Sequence, residues 1–257
     1  MQTMPEGAEP ELADALRHPH DANWISKDIA LQTLGDGARV LCRRDPAVAT
    51  LFISDTALLS HVEHQWINVV GMIYSAWLGR EALHAGAFST TQGAWGVVAE
   101  REGGKSSTLA SLATFDHGIV ADDLAVVESN VVFAGPRQID LRLDAADWLQ
   151  GLSKLAVSKL ALSRGATRRR LALLPIPPTS TLVGWIFLTW GAEVALRTIP
   201  PSQRFVRLTR ALALRPHVGS PKRLMELAEL PGWELVRPRN LDFFFEGLGL
   251  VQDLVGD

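Results

Sequence analysis

The sequence predicts an α/β chain, and three stretches predict it. Trp95-Gly96-Val97-Val98-Ala99, then Gly103-Gly104-Lys105-Ser106-Ser107-Thr108, then Leu109-Ala110-Ser111-Leu112-Ala113 read in order as strand, loop and helix. Downstream, the run from His117 to Val127 reads as an apolar strand whose end carries the adjacent carboxylates Asp122 and Asp123. Ahead of both, two β-rich runs and a stretch of helical periodicity form a smaller α+β region over residues 23–80.

Taken in chain order, residues 1–22 are acidic and contain Pro and His, which predicts a mobile arm. Val40-Leu41-Cys42 and the run Ala47 to Ile53 flank Arg43-Arg44-Asp45-Pro46, a turn signal that predicts a hairpin. From Leu58 to Leu78, apolar residues recur at helical spacing through Leu59, Val62, Trp66, Val69, Val70, Ile73 and Trp77. After the acidic pair, Val131-Val132-Phe133-Ala134 is expected to pair with the preceding strand across Glu128-Ser129-Asn130, and residues 144–163 read as helical. Arg164-Gly165-Ala166-Thr167-Arg168-Arg169-Arg170 is the concentrated basic stretch, either a solvated loop or the source of an arginine for phosphate. Thr181 to Trp190 and Glu193 to Thr198 read as a hairpin around Gly191-Ala192. Helices near 202–213 and 220–229, a strand near 233–236 and a helix from about 241 complete the expected elements.

The stretch at 103–108 has the chemistry of a phosphate-binding loop. Glycines at a helix start let backbone N–H groups face an anion, a lysine reaches terminal phosphates, and a hydroxyl reaches magnesium. The usual pattern places its first glycine where this chain has Ala99. A glycine there can adopt a positive φ that alanine resists, so Gly103 is expected to supply the flexibility instead. Glu102, Gly103, Gly104, Lys105, Ser106 and Ser107 are the expected nucleotide-holding residues. In open α/β sheets ligands sit beyond the carboxyl ends of parallel strands, which brings Asp122 and Asp123 beside the phosphates. One carboxylate can hold magnesium and the other can accept a proton from an attacking hydroxyl. Neighbouring strand residues point to opposite faces, so the two acids share one task only if the strand has already ended. Arg137 and Arg142 flank an alternating segment, and Arg137 is the expected phosphate or acceptor contact. The tryptophans read as core anchors, and Phe243-Phe244-Phe245 as a helix packing on the sheet.

Leu83-His84-Ala85, the loop with Gly104-Lys105-Ser106 and Val120-Ala121-Asp122-Asp123 together resemble the catalytic core of HPr kinase/phosphorylase, over roughly residues 81–145. Phe133 to Arg142 and Val236-Arg237-Pro238-Arg239-Asn240-Leu241 resemble segments of HPr-kinase-like proteins of bacterial peptide natural-product pathways, some of which phosphorylate a serine of a lasso-peptide precursor. The resemblance implies an HPr-kinase-like P-loop core with a mixed sheet over residues 81–257, with ATP and Mg2+ as cofactors. It also implies that His84, Lys105, Asp122 and Asp123 are catalytic, with Ser106 and Asp123 on the metal. The acceptor is expected to be a hydroxyl, chiefly serine, of a peptide or small molecule. Homo-oligomers occur among such relatives. No segment matches the parts of the true enzyme that recognise its phosphocarrier, so HPr itself is not the expected substrate.

Composition narrows the alternatives. With 257 residues and 47% hydrophobic content the chain can bury a sizeable core. A formal net charge of −3 offers no global attraction for nucleic acid. One cysteine, Cys42, forms no intrachain disulfide, and Met1 to Glu6 lacks a signal-peptide layout, so a cytoplasmic location is expected. Leu182 to Trp190 is about half the ~20 residues of a membrane helix and reads as a buried strand, so no membrane partner is expected. His18 and His20 have no cysteine cluster beside them and predict no zinc site. Two rivals stand beside a kinase: a degenerate module that senses nucleotide or escorts a peptide, and a small-metabolite kinase.

Overall fold

The computed structural model describes residues 23–34, 38–53, 59–152, 168–214 and 220–256. The expected arm at 1–22, the helix beyond 152 and Arg164 to Thr167 of the basic stretch lie outside these residues. The chain divides into two compact units, Met1–Trp77 and Leu78–Asp257. Among the described residues, no helix is long and apolar enough to cross a membrane.

In the first unit, β1 (Trp24–Ile25), β2 (Ile29–Thr33), β3 (Arg39–Arg43) and β4 (Val48–Phe52) form an antiparallel sheet in chain order. The expected hairpin is the β3–β4 pair, with Arg43 opposite Val48. Helix α1 (Leu59–Trp77) lays the apolar stripe of Trp66, Val69, Val70, Ile73 and Trp77 against Ala30, Val40 and Cys42. Polar tips fix its end: Tyr74 Oη donates to the Arg43 carbonyl at 2.6 Å, and Trp77 Nε1 to that of Ser26 at 2.9 Å.

The second unit is α/β with a mixed sheet. Its strands are β5 (Glu81–Leu83), β6 (Ala85–Thr90), β7 (Gly93–Ala99), β8 (Gly118–Ala121), β9 (Ala125–Glu128), β10 (Val131–Phe133), β11 (Gln138–Arg142), β12 (Arg168–Ala172), β13 (Thr179–Trp190), β14 (Ala195–Thr198) and β15 (Gly232–Arg237). Its helices are α2 (Lys105–Thr114), α3 (Leu143–Leu152), α4 (Pro201–Arg210), α5 (Pro221–Glu229) and α6 (Phe244–Val255). The main sheet runs β5-β9-β10-β13-β7-β6-β8, with β15 on β13 and β14 on β15. β11 and β12 form a separate antiparallel pair.

The long strand β13 organises this unit because its side chains serve both faces. Trp185 and Phe187 enter one core with Leu208, Leu224 and Leu227 of α4 and α5. Ile186 and Leu188 enter the other with Leu109 and Leu112 of α2 and Leu248 and Val251 of α6. Such two-faced burial is what a near-continuous apolar run produces in a parallel setting.

β14 corrects the hairpin expected around Gly191-Ala192. It pairs antiparallel with β15, and β15 lies between it and β13. The burial explains the order. Leu235 of β15 is fully buried, whereas Arg197 and Thr198 of β14 are exposed and suit an edge.

Strand direction sets the site. β7, β13 and β15 are parallel, and β6 is antiparallel to both β7 and β8. The carboxyl ends of β7, β8, β13 and β15, at Ala99, Ala121, Trp190 and Arg237, therefore share one edge. This is the edge at which α/β sheets bind ligands.

Candidate active site

A cleft of about 880 Å³ opens at that edge, and the residues after each of the four strands contribute to it or to the groups beside it. After β7 the chain turns at once: the Gly103 N–H donates to the Glu100 carbonyl at 2.9 Å. The positive φ that the loop needs falls on Glu102 (62°) and Gly104 (81°), not on Gly103. Gly103 is required for room, since a Cβ there would lie 2.8 Å from the Ala99 Cβ and 2.9 Å from the Glu100 carbonyl oxygen. Ala99 thus ends its strand without strain, and Gly103 gives it space. Gly104 then starts α2 without any side-chain cap, which leaves first-turn N–H groups facing the cleft.

β8 ends at Ala121, so both acids reach the loop. The Leu124 N–H donates to the Asp122 carbonyl at 2.9 Å around Asp123, whose φ is 69°. This three-residue turn is a strained form, and it swings the second carboxylate round to the side of the first. Asp122 is buried and accepts from Ser106 Oγ at 3.1 Å. Asp123 Oδ1 lies 3.4 Å from Lys105 Nζ and 3.2 Å from His84 Nδ1, with a side chain 38% exposed to the cleft. The structure therefore separates the pair by environment. Asp122, rather than the expected Asp123, is the acid beside the Ser106 hydroxyl.

His84 sits between β5 and β6, held by its backbone N–H on the Ala211 carbonyl at 2.6 Å. Partial burial lowers its pKa below the usual 6.5, and the Lys105 ammonium lowers it further against the opposing pull of Asp123. Its Nδ1 lies beside the Asp123 carboxylate, and the lowered pKa favours the neutral ring.

Arg137 does not line the cleft, contrary to expectation. Its guanidinium donates to the carbonyls of Ile119 (2.6 Å), Val120 (3.3 Å) and Leu174 (3.0 Å), tying the end of β8 to the segment after β12. Arg142, at the other end of the same alternating segment, faces the cleft instead and grips Glu102 at 2.8 Å. Arg239 reaches the same carboxylate at 3.4 Å. Ser107 lines the cleft as expected, and Arg168 joins it from β12.

Arg237, Arg239 and Trp190 are cleft residues that the sequence reading had not singled out as functional. Their signal was positional: each ends or follows a strand parallel to β7. Arg237 is 2% exposed, and its Nη2 donates to Thr108 Oγ1 at 3.2 Å and the Gly103 carbonyl at 3.4 Å. The rings of Phe244 and Trp190 lie 4.8 and 5.2 Å from its guanidinium carbon. Burial pushes its pKa down to about 10, which leaves it cationic at neutral pH.

No family model matches the chain, and no curated protein does. Among solved structures, the HPr(Ser) kinase/phosphatase from Coxiella burnetii is similar over 68% of this chain and 97% of its own length, at 13% identity and a TM-score of 0.34.

Proposed function

We propose that the cleft binds magnesium-complexed ATP and that the chain transfers the γ-phosphoryl group to a hydroxyl. The observation that carries this reading is the convergence of two carboxylates on one uncapped helix start, Asp122 on Ser106 and Asp123 on Lys105. Lys105 and the first N–H groups of α2 are placed to hold phosphate oxygens. The Ser106 hydroxyl and the Asp122 carboxylate form an oxygen donor set that fits Mg2+. Among the described residues no cluster of three or more His, Cys, Asp or Glu gathers as a metal site, so phosphate oxygens and water would complete the shell. Bound there, the cation would neutralise charge that develops on the phosphates.

Asp123 is the base in this reading because it is the acid open to an acceptor. Its carboxylate takes the acceptor's proton as the hydroxyl oxygen bonds to the γ-phosphorus. The bond from that phosphorus to the β-bridging oxygen breaks, and ADP leaves. His84, its Nδ1 3.2 Å from the Asp123 carboxylate, flanks the base. A serine of a peptide, or a natural-product hydroxyl, is the acceptor class we favour. It rests on the resemblance of the segments around His84, Lys105 and Asp122 to HPr kinase/phosphorylase, and of Phe133 to Arg142 and Val236 to Leu241 to kinase-like proteins of peptide natural-product pathways.

The test is a thermal-shift titration with Mg-ATP on the unaltered chain and on Lys105→Ala, which requires no knowledge of the acceptor. Ligand at about 100 times its Kd stabilises by roughly 2.7 kcal/mol. A magnesium-dependent rise in the midpoint that Lys105→Ala abolishes supports the reading. The same absence of a rise in both proteins at millimolar ATP overturns it.

A further inference from the structure

We infer that Arg237 is the resident counter-charge of the phosphate loop, a fixed guanidinium that sets the affinity of the cleft for polyphosphate anions through Gly103 and Gly104. The inference rests on the reading of the cleft as a nucleotide site and assigns it a residue on a different strand from the loop.

Burial of an unpaired charge is costly, and buried cations are ordinarily matched by carboxylates or saturated with acceptors. Arg204, the other buried arginine among the described residues of this unit, shows the second solution: it donates to the carbonyls of Ala228 and Ile199 at 2.7 and 3.0 Å. The half-buried Arg170 and Arg207 show the first, with Asp140 and Glu234. Arg237 has neither. Among the described residues it forms no ion pair, its Nε finds no acceptor, and two aromatic rings close around it. Its two donations are both to the loop and its helix, at Gly103 and Thr108.

The loop is in turn shaped around it. A Cβ at Gly104 would lie 2.5 Å from Arg237 Nη2, so the glycine that starts α2 leaves the guanidinium its place. Thr108 Oγ1, which Arg237 contacts, also donates to the Gly104 carbonyl at 2.9 Å. Arg237 therefore holds two loop carbonyl groups, directly or through Thr108, while its charge adds to that of Lys105. The anion in the cleft is the partner the charge lacks.

The experiment measures binding of tripolyphosphate and of Mg-ATP by calorimetry to the full chain, to Arg237→Met and to Arg237→Lys, with the ligand-free melting midpoint of each. Loss of the charge lowers tripolyphosphate affinity by at least about tenfold in Arg237→Met, and Arg237→Lys recovers most of it. The ligand-free midpoint of Arg237→Met stays level or rises, because an unmatched buried charge has gone. Arg237→Gln carries the same comparison if the methionine variant does not fold. Binding by Arg237→Met within about twofold of the unaltered chain overturns the inference and leaves the nucleotide reading standing. So does equal weakening in the methionine and lysine variants with both ligand-free midpoints lowered, the mark of a structural residue. Arg237-dependent binding of tripolyphosphate without binding of Mg-ATP upholds the inference and overturns the nucleotide reading. Binding of neither anion by the unaltered chain overturns both.

Discussion

Replacing Gly104 by alanine tests the geometry of the loop without any ligand. Two costs are separable. Gly104 has φ 81°, and an L-residue held in the left-handed region costs roughly 1–2 kcal/mol. The new Cβ would also lie 2.5 Å from Arg237 Nη2. The guanidinium cannot swing aside cheaply, because it is 2% exposed and held between Trp190 and Phe244. Overpacking of that kind costs about 1–3 kcal/mol. The sum is about 2–5 kcal/mol, or a fall of roughly 4–20 °C in melting midpoint at about 2–4 °C per kcal/mol. The cycle with Arg237→Ala separates the two terms. In that background only the left-handed cost remains, so Gly104→Ala should become milder by about 1–3 kcal/mol. Urea unfolding followed by tryptophan fluorescence on the four proteins gives the comparison. A penalty that differs by less than about 0.5 kcal/mol with and without Arg237 refutes the contact and the reasoning built on it.

Gly249 supplies the opposite expectation. It lies inside α6 with nothing within 4 Å of a Cβ, so Gly249→Ala should stabilise by about 0.5–1 kcal/mol in the same urea assay, and a loss of stability would contradict the packing of that helix. Asp123→Gly should gain about 1 kcal/mol by relieving φ 69°, offset in part by its surface contacts, while turnover falls by at least about 100-fold; a destabilised but active variant would remove Asp123 as the base. His84 should titrate below 6.5 by NMR, and Lys105→Met should raise its midpoint by removing a neighbouring cation; a midpoint that does not move excludes that coupling. Because the folded pKa is lowered, the unfolded chain takes up the proton first on acidification. The stability linked to His84 is therefore whole above 6.5 and declines as pH falls through the folded midpoint.

The strands and helices were legible where one face or one period dominated. Trp66, Val69, Val70, Ile73 and Trp77 mark a helical stripe, and α1 buries it. The loop with Lys105 and Ser106 was legible because its chemistry is local to one turn of chain. Pairing was not. Leu182 to Trp190 and Ala195 to Thr198 are separated by a short glycine-bearing link, and nothing local says that β15 will enter between them. Arg137 and Arg142 likewise flank one alternating segment, and the choice between them depends on which end the fold turns toward the cleft. Arg237 was hidden for a related reason: its position beneath Gly104 is a property of sheet order, which brings β15 within two strands of β7.

Strain is concentrated where charged groups must be aimed. Four residues other than glycine hold positive φ among those described, and two of them, Glu102 and Asp123, line the cleft. A strand continued through Asp122 and Asp123 would send the two carboxylates to opposite faces. The left-handed turn at Asp123 instead presents both to α2, one on Ser106 and one on Lys105. The left-handed Glu102 does the same for the opposite wall, directing its carboxylate between Arg142 and Arg239. Those two arginines are exposed and share Glu102, with Asp144 3.7 Å from Arg142 besides, so an incoming anion competes with these carboxylates for them, whereas nothing of the kind competes for Arg237. The cleft thus holds two classes of positive charge, one exchangeable at its mouth and one fixed under its loop. Glu102→Gln should free the first class and tighten tripolyphosphate binding, while leaving the contribution of Arg237 unchanged. A weaker tripolyphosphate complex in Glu102→Gln would show that the glutamate positions those arginines for the anion and does not compete with it.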